Sequence, residues 1–393
     1  MNLRKTIAYS KKVLPGATWR ALSAPVHEPV HLIIAVADHF EPAIDPEGGS
    51  KRVPRSEQER RLEWWNREYP KVVDRWRDHE GRPFVHTYFY PAEQYDEGLL
   101  EMIAEHCHSG WGEAEVHLHH GIPHPDTAEN TRRMLTDFRD RLAFRHRCLA
   151  AEEGSDQPRY CFVHGNFALA NSAGGRFCGV DSEMKVLAET GCYADFTLPT
   201  GVLHPAQTAK INSLYECALP LEQAAPHTQG TDLSTGHQPR IFPLIVQGPL
   251  LADFRRSLRT FQPMFETGAI TKPNPMSLHR LALWKQARIR VAGRQDWLFI
   301  KLHCHSMDPS QKDAVIGNEF KAFLEQLVDG VKERKETLHF VTAREMANII
   351  LAACDGKEGN PGAYRDYRFK RFRDLPAIVE KSDSLPVSVS VKG

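Results

Sequence analysis

The stretch VHLHHGIPH, residues 116–124, places four histidines within nine positions. On a strand, alternate side chains share a face, so His117 and His119 point to one side and His120 to the other. The Gly-Ile-Pro that follows predicts a turn, which brings His124 back towards the strand end. Imidazole nitrogens bind Zn²⁺ at about 2.0–2.1 Å, so two or three of these side chains meeting at one point predict a metal site. The alternative is a set of histidines bonded to nearby backbone.

Two further polar groups end apolar runs. In HLIIAVADHF, a carboxylate beside an imidazole is poorly explained by core packing. We interpret Asp38 as a general base, His39 as a metal ligand and Glu41 as a further acid near the substrate. The alternative for Asp38 is the cap of a turn. The run KLHCH places His303 and His305 on one face, where one would protonate a departing amine or alcohol. As the alternative, both histidines lie in a core or on its rim.

Three polar side chains are candidates for substrate binding or support. His164 and Asn166 lie in VHGN at the end of another apolar run, where an amide could hold a polar substrate. A Gly-Asn turn explains that pair almost as well. Asp195, in ADFTLP, could orient a catalytic histidine. The motifs GxSxG, the P-loop and GxGxxG after a strand are absent. Hydrolysis by a metal-bound water is the chemistry that remains.

Short apolar runs alternate with helix patterns along the chain, and these elements must position the candidates. Capping-box patterns at Ser56 with Glu59 and at Thr342 with Glu345 predict two helix starts. Strands separated by helices predict βα units and a largely parallel sheet. Chemistry at the carboxyl ends of such strands fits a barrel or an open sheet with its site on that edge.

Composition excludes several classes of protein. Fifty basic residues balance fifty acidic ones, which gives no electrostatic support for nucleic-acid or anionic-membrane binding. No apolar run approaches the roughly 18 residues of a membrane span, and the N-terminus lacks the pattern of a secretory signal. The eight cysteines form no CxxC pair and are expected to be free thiols. A cytoplasmic location is the expectation.

The order of the motifs resembles that of the polysaccharide deacetylase superfamily, the NodB-type carbohydrate esterases. VADHFEP matches the acidic motif that ends the first strand, and HGIPHPD matches H-x-x-x-H-P through His120, His124 and Pro125. GVDSEMKVLAETGCYADFTLP, FIKLHCH and FVTAREMANII resemble the later segments, so the resemblance spans roughly residues 30–350. The chain departs from the family at His39, where a second aspartate is usual. HGN stands where an arginine-proline-glycine motif is expected.

This resemblance implies a distorted (β/α) barrel with loop insertions over residues 30–355, an N-terminal extension over 1–29 and a partly flexible C-terminal extension over 356–393. It implies a divalent metal, with Zn²⁺ expected, and three ligands drawn from His39, His117, His119, His120 and His124. The implied activity is hydrolytic removal of an acetyl-like group from an N- or O-acylated sugar or glycan precursor. Asp38 would be the base, and His303 or His305 the acid.

Two rival functions stay open. Another metallohydrolase, of the amidohydrolase or phosphoesterase kind, also suits His-x-His at a strand end and predicts two metals. A non-catalytic, degenerate deacetylase fold that binds a glycan is the second rival, and His39 in place of the usual aspartate keeps it open. The sugar, the acyl group and the oligomeric state are not specified by the sequence.

Overall fold

The structure is a computed structural model that describes residues 13–22, 29–47 and 52–375. Its strands are β1 (Val30–His39), β2 (His86–Pro91), β3 (Gly112–Leu118), β4 (Ala150–Glu152), β5 (Tyr160–His164), β6 (Cys192–Asp195), β7 (Leu214–Cys217), β8 (Gly230–Asp232), β9 (Leu244–Val246), β10 (Leu251–Ala252), β11 (Phe265–Glu266), β12 (Trp297–Cys304), β13 (Glu336–Phe340) and β14 (Phe369–Arg371). Its helices are α1 (residues 13–21), α2 (Arg55–Val73), α3 (Glu97–His106), α4 (Ala128–Asp140), α5 (Glu183–Glu189), α6 (Phe254–Thr260), α7 (Leu278–Ala287), α8 (Asp313–Ile316), α9 (Asn318–Asp329), α10 (Val331–Arg334) and α11 (Ala343–Cys354).

Ten strands form one sheet in the order β12-β1-β2-β3-β5-β6-β9-β7-β8, with β13 paired to β1. The pairings are parallel except those of β7, which runs antiparallel to β8 and β9. The expected mixed α/β fold with a largely parallel sheet is confirmed. Within the described parts of the chain no pairing joins β12 to β8, so the structure does not show a closed barrel.

Strand β1 is buried on both faces, as its continuous apolar run indicates. Leu32, Ile34 and Val36 belong to the core that includes residues of helices α2, α3 and α9. Ile33 and Ala35 belong to a second core that includes residues of α11. Because the face alternates at each residue, the two polar residues that end β1 are directed to opposite sides of the sheet.

Parallel register brings the carboxyl ends of the central strands to one edge. Ala37 in β1 lies beside His303 in β12, and His117 in β3 lies beside Val163 in β5. Polar residues that end these strands therefore meet at this edge, as expected for parallel sheets.

The two predicted capping boxes differ in outcome. Thr342 and Glu345 form the expected reciprocal capping box at the start of α11. Helix α2 instead begins after Pro54, without a side-chain cap, so the start predicted from Ser56 and Glu59 is wrong by two residues. Because the ring of Pro54 fixes its φ at −55°, close to the helical value, the helix can start directly after this residue.

The described part of the C-terminal extension packs against the main body. Strand β14 pairs antiparallel with β4, and the Asn348 amide in α11 donates to the carbonyls of Arg365 and Phe369. Residues 1–12, 23–28, 48–51 and 376–393 lie outside the described residues, and with them most of the N-terminal extension and the end of the C-terminal one. All eight cysteines are buried and form no disulfide, as expected. Among the described helices, none has both the length and the apolar character needed to cross a membrane.

Candidate metal centres

Five histidines and two glutamates gather at the carboxyl edge of the sheet, and we call them the open cluster. The members are His39, Glu41, Glu93, His117, His119, His303 and His305. They come from the ends of β1, β3 and β12 and from the turn after β2. The cluster reaches the surface through His119, whose side chain is 24% exposed, and through Glu41, which is 13% exposed.

Three side chains of the open cluster can share one cation. His39, Glu41 and His117 each offer a ligand atom, and these atoms lie within 4.8 Å of one another. The Nδ1–H of His117 donates to the Val163 carbonyl at 2.7 Å, so its Nε2 carries a lone pair directed at Glu41 Oε1, 3.3 Å away. The Nε2 atom of His39 is buried and has no hydrogen-bond partner among the residues that the structure describes.

The electrostatics of the triad favour a bound positive charge. Burial would raise the pKa of Glu41, but the His117 and His119 imidazoles outweigh it and lower that pKa to about 2. Burial and the neighbouring histidines hold the pKa of His39 well below its ordinary value. A carboxylate that stays ionised beside neutral imidazoles is the state in which such groups bind metal.

His119 forms a second pair beside the triad. Its Nδ1 lies 2.9 Å from Glu93 Oε1, and its Nε2 lies 3.6 Å from Glu41 Oε1. Burial lowers the pKa of His119, but the two carboxylates outweigh burial and raise it. An imidazole oriented by a carboxylate and partly open to solvent can accept or donate a proton at the cluster.

His303 and His305 complete the cluster on the other side of His39. The ring centroids of His305 and His303 lie 4.6 and 6.1 Å from that of His39. The Nδ1 of His303 is buried and has no hydrogen-bond partner in the described ranges. Burial together with the charge of Lys301 holds the pKa of His303 well below its ordinary value. The ring centroid of Phe167 lies 5.7 Å from that of His39 and 6.3 Å from that of His303, so an aromatic ring borders this side.

Asp38 lies on the opposite face of β1 and is fully buried. Its Oδ2 accepts a hydrogen bond from the Nδ1–H of His86 at 2.9 Å, and its Oδ1 accepts one from the backbone N–H of Ser306 at 3.0 Å. Asp38, His86 and Cys304 also form a buried group of possible metal ligands. Both oxygens of the Asp38 carboxylate, however, already accept a hydrogen bond from the protein. The base role of Asp38 stays a prediction, which this placement does not support.

Four further side chains form a second group, which we call the closed cluster: His120, His164, Cys178 and Glu183. Their ligand atoms lie within 4.8 Å of one another, and all four residues are buried. His120 was expected to bind metal and His164 to bind substrate. Cys178 and Glu183 were not anticipated, because a cysteine and a glutamate five residues apart match no familiar ligand spacing.

The remaining candidates lie apart from both clusters. His124 is exposed and belongs to none of the groups of converging ligand atoms found among the described residues. Asn166 has a left-handed backbone, with φ 54°, in the turn after β5, which is the turn role given as its alternative. Asp195 is fully buried and accepts hydrogen bonds from the hydroxyl and N–H of Thr197. Burial raises the pKa of Asp195 to about 7.

In comparisons with known proteins, no family model matches the chain, and no curated protein matches it either.

Proposed function

We propose that this protein is a metal-dependent hydrolase whose reaction takes place at the open cluster. One observation carries the proposal: a ring nitrogen of His39, the Nε2 of His117 and the carboxylate of Glu41 converge at a strand-end edge with an opening to solvent. Two imidazoles and one glutamate are the protein ligands of several catalytic zinc sites. Zn²⁺ is therefore the metal we propose for the triad.

A divalent metal bound to this triad would lower the pKa of a coordinated water and polarise a substrate carbonyl. The side chains around the triad supply the proton transfers. His119, oriented by Glu93, would accept a proton, and His305 would donate one to the leaving amine or alcohol. His303 is the weaker donor, because its pKa is held well below its ordinary value. This arrangement gives His119 the role that the sequence assigned to Asp38.

Acylated sugars or glycan precursors are the substrates we propose, and a deacetylase-type distorted barrel is the fold that goes with them. The support is the order of motifs from VADHFEP to FIKLHCH, together with the location of the open cluster at the carboxyl edge of a mostly parallel sheet. The ring of Phe167 beside the cluster provides an apolar face on which a sugar ring could stack.

The proposal is tested by assaying acetate and formate release from N- and O-acylated sugars, with metal content measured on the same samples. Loss of one ligand removes several kcal/mol of transition-state stabilisation, so His117→Ala and Glu41→Gln should each lower kcat/KM about a thousandfold. His124→Ala, an exposed histidine outside the cluster, is the matched control and should retain activity. Full activity in either ligand variant, or metal binding without any acyl release, would contradict the proposal.

A specific contact favours one rival, a two-metal phosphoesterase or amidohydrolase. Glu41 Oε1 lies 3.3 Å from His117 Nε2 and 3.6 Å from His119 Nε2, the position of a carboxylate that bridges two metals. Hydrolysis of aryl phosphates by the purified protein, lost in His119→Ala, would favour this rival. Acyl release without phosphatase activity would favour the deacylase.

A further inference from the structure

The closed cluster brings three proton acceptors together at hydrogen-bond distance. His120 Nε2 lies 3.0 Å from His164 Nε2 and 2.9 Å from Glu183 Oε1, and His164 Nε2 lies 3.3 Å from the same oxygen. Ligand atoms about 2.0–2.1 Å from one tetrahedral zinc lie about 3.4 Å from one another, so this spacing is close to that of a metal site.

Neighbouring groups fix the Nδ1 atom of both imidazoles as a hydrogen-bond donor. The Nδ1–H of His120 donates to Asp126 Oδ2 at 2.9 Å, and the Nδ1–H of His164 donates to the Gly165 carbonyl. The two Nε2 atoms point at each other and at Glu183, and in the neutral form that binds metal they would present lone pairs to a shared ion. A carboxylate or carbonyl that accepts from the outer nitrogen is the usual support of a metal-binding histidine.

The remaining donors complete a four-ligand set. Glu183 Oε2 accepts the backbone N–H of Ala170 at 2.6 Å, which leaves Oε1 for the cluster, and Cys178 Sγ lies 3.6 Å from Oε2. The side chain of His120 is 2% exposed, and those of His164 and Glu183 are 0% exposed. Four protein ligands with no open position are typical of a structural zinc site, whereas the open cluster has three ligands and an opening.

We propose that His120, His164, Cys178 and Glu183 bind a structural zinc ion, separate from the metal of the open cluster. Two imidazoles and a thiolate select zinc over Mg²⁺ and Ca²⁺, which prefer oxygen ligands. A Cys178 thiolate and the Glu183 carboxylate balance the charge of one Zn²⁺. The proposal does not depend on the reaction proposed for the open cluster.

The zinc would fasten the loop over residues 165–182 to the end of β3. Five of the twelve non-glycine residues with positive φ in the described chain lie in this loop: Asn166, Phe167, Ala170, Asn171 and Phe177. Such conformations are strained and persist when the surroundings fix them. Ligands at 164, 178 and 183 would fix both ends of the loop. Because Phe167 contacts His39, the closed cluster also sets one wall of the open cluster.

The test counts metal in the full-length protein purified without chelator. The double variant His39→Ala/His117→Ala removes two ligands of the open cluster and should retain one tightly bound zinc per chain. Adding Cys178→Ala should abolish that zinc. With cobalt in place of zinc, a near-ultraviolet thiolate-to-cobalt band is expected in the double variant and should vanish when Cys178 is replaced. Cys161→Ala, another buried thiol outside the clusters, is the matched control and should keep the band.

A folded double variant without bound zinc would overturn the proposal, and would show that a proton on His120 holds the cluster together instead. A cobalt band that survives Cys178→Ala would overturn it as well. If the variants fail to fold, X-ray absorption at the zinc edge of the wild-type protein decides the question. A sulfur neighbour at about 2.3 Å supports the closed cluster, and a shell of nitrogen and oxygen alone overturns it. None of these outcomes depends on the acyl-release assay. The zinc site of the closed cluster and the hydrolase activity of the open cluster are therefore tested independently.

Discussion

Asp38 and His39 are neighbours in sequence, yet they serve different parts of the molecule. The Asp38 carboxylate lies on the side of β1 that packs against α2, α3 and α9, where it accepts hydrogen bonds from His86 and from the backbone of Ser306. His39 faces the open cluster, with a buried nitrogen that has no hydrogen-bond partner within the described parts of the chain. The residue type alone indicated chemistry at both positions, but the side of the strand decides which residue can take part.

Replacing Asp38 by alanine is expected to affect stability first. The change leaves the Ser306 N–H and the His86 Nδ1–H buried without an acceptor, which costs about 2–4 kcal/mol of the free energy of unfolding. Urea unfolding followed by fluorescence measures this loss. Asp329→Ala, an exposed aspartate at the end of α9, is the control and should stay within about 0.5 kcal/mol of the wild type. An unfolding free energy unchanged by Asp38→Ala would show that the two hydrogen bonds do not support the fold.

At the scale of elements, the buried strands were predictable because their apolar runs are short and end in polar residues. The sequence therefore indicated that chemistry gathers at the ends of β1, β3 and β12, and the structure brings His39, His117 and His303 together. The partners of His120 were not predictable from local pattern. They depend on the pairing of β3 with β5 and on the path of the loop over residues 165–182.

The H-x-x-x-H-P pattern illustrates this limit. The local sequence predicts that His124 turns back towards the strand end that carries His120. In the structure, the turn between these two residues packs against the segment around Cys178. Asp126 N–H donates to the Cys178 carbonyl at 2.8 Å, and Gly121 adopts φ 65° directly against Cys178. Cys178, and not His124, therefore lies beside His120. This neighbour comes from a tertiary contact, so it could not be predicted from the spacing of residues along the chain.

The close approach at Gly121 leads to a prediction for this turn. A Cβ at Gly121 would lie 2.3 Å from the Cys178 carbonyl oxygen, so Gly121→Ala must displace the segment that carries Cys178. We expect zinc to be lost from the closed cluster and the thermal midpoint to fall. Gly236→Ala is the matched control, because Gly236 also has positive φ, 79°, but has no atom within 4 Å of its Cβ position. The control should cost only about 1–2 kcal/mol for the left-handed backbone. Equal metal content in the two variants would contradict the packing argument.

At the scale of the whole molecule, one edge of the sheet carries two clusters of different exposure. The open cluster lies at the ends of β1, β3 and β12, and the closed cluster lies between β3, β5 and α5. His119 and His120 are adjacent and directly follow β3, and their side chains divide between the two clusters. The end of one strand thus contributes both to the open cluster, proposed as the catalytic site, and to the closed cluster, proposed as a structural metal site.

This division predicts that a chelator removes the two metals in separate steps. The open-cluster metal should leave first, because its site reaches solvent, and activity should fall while the thermal midpoint changes little. The closed-cluster metal should leave later, and the thermal midpoint should then drop, because a metal that binds only the folded chain contributes its binding free energy to stability. Metal release, activity and thermal unfolding followed over one EDTA time course measure this order. In the His39→Ala/His117→Ala variant only the slow step should remain. Loss of both metals in one step, together with unfolding, would show that the two clusters behave as one centre.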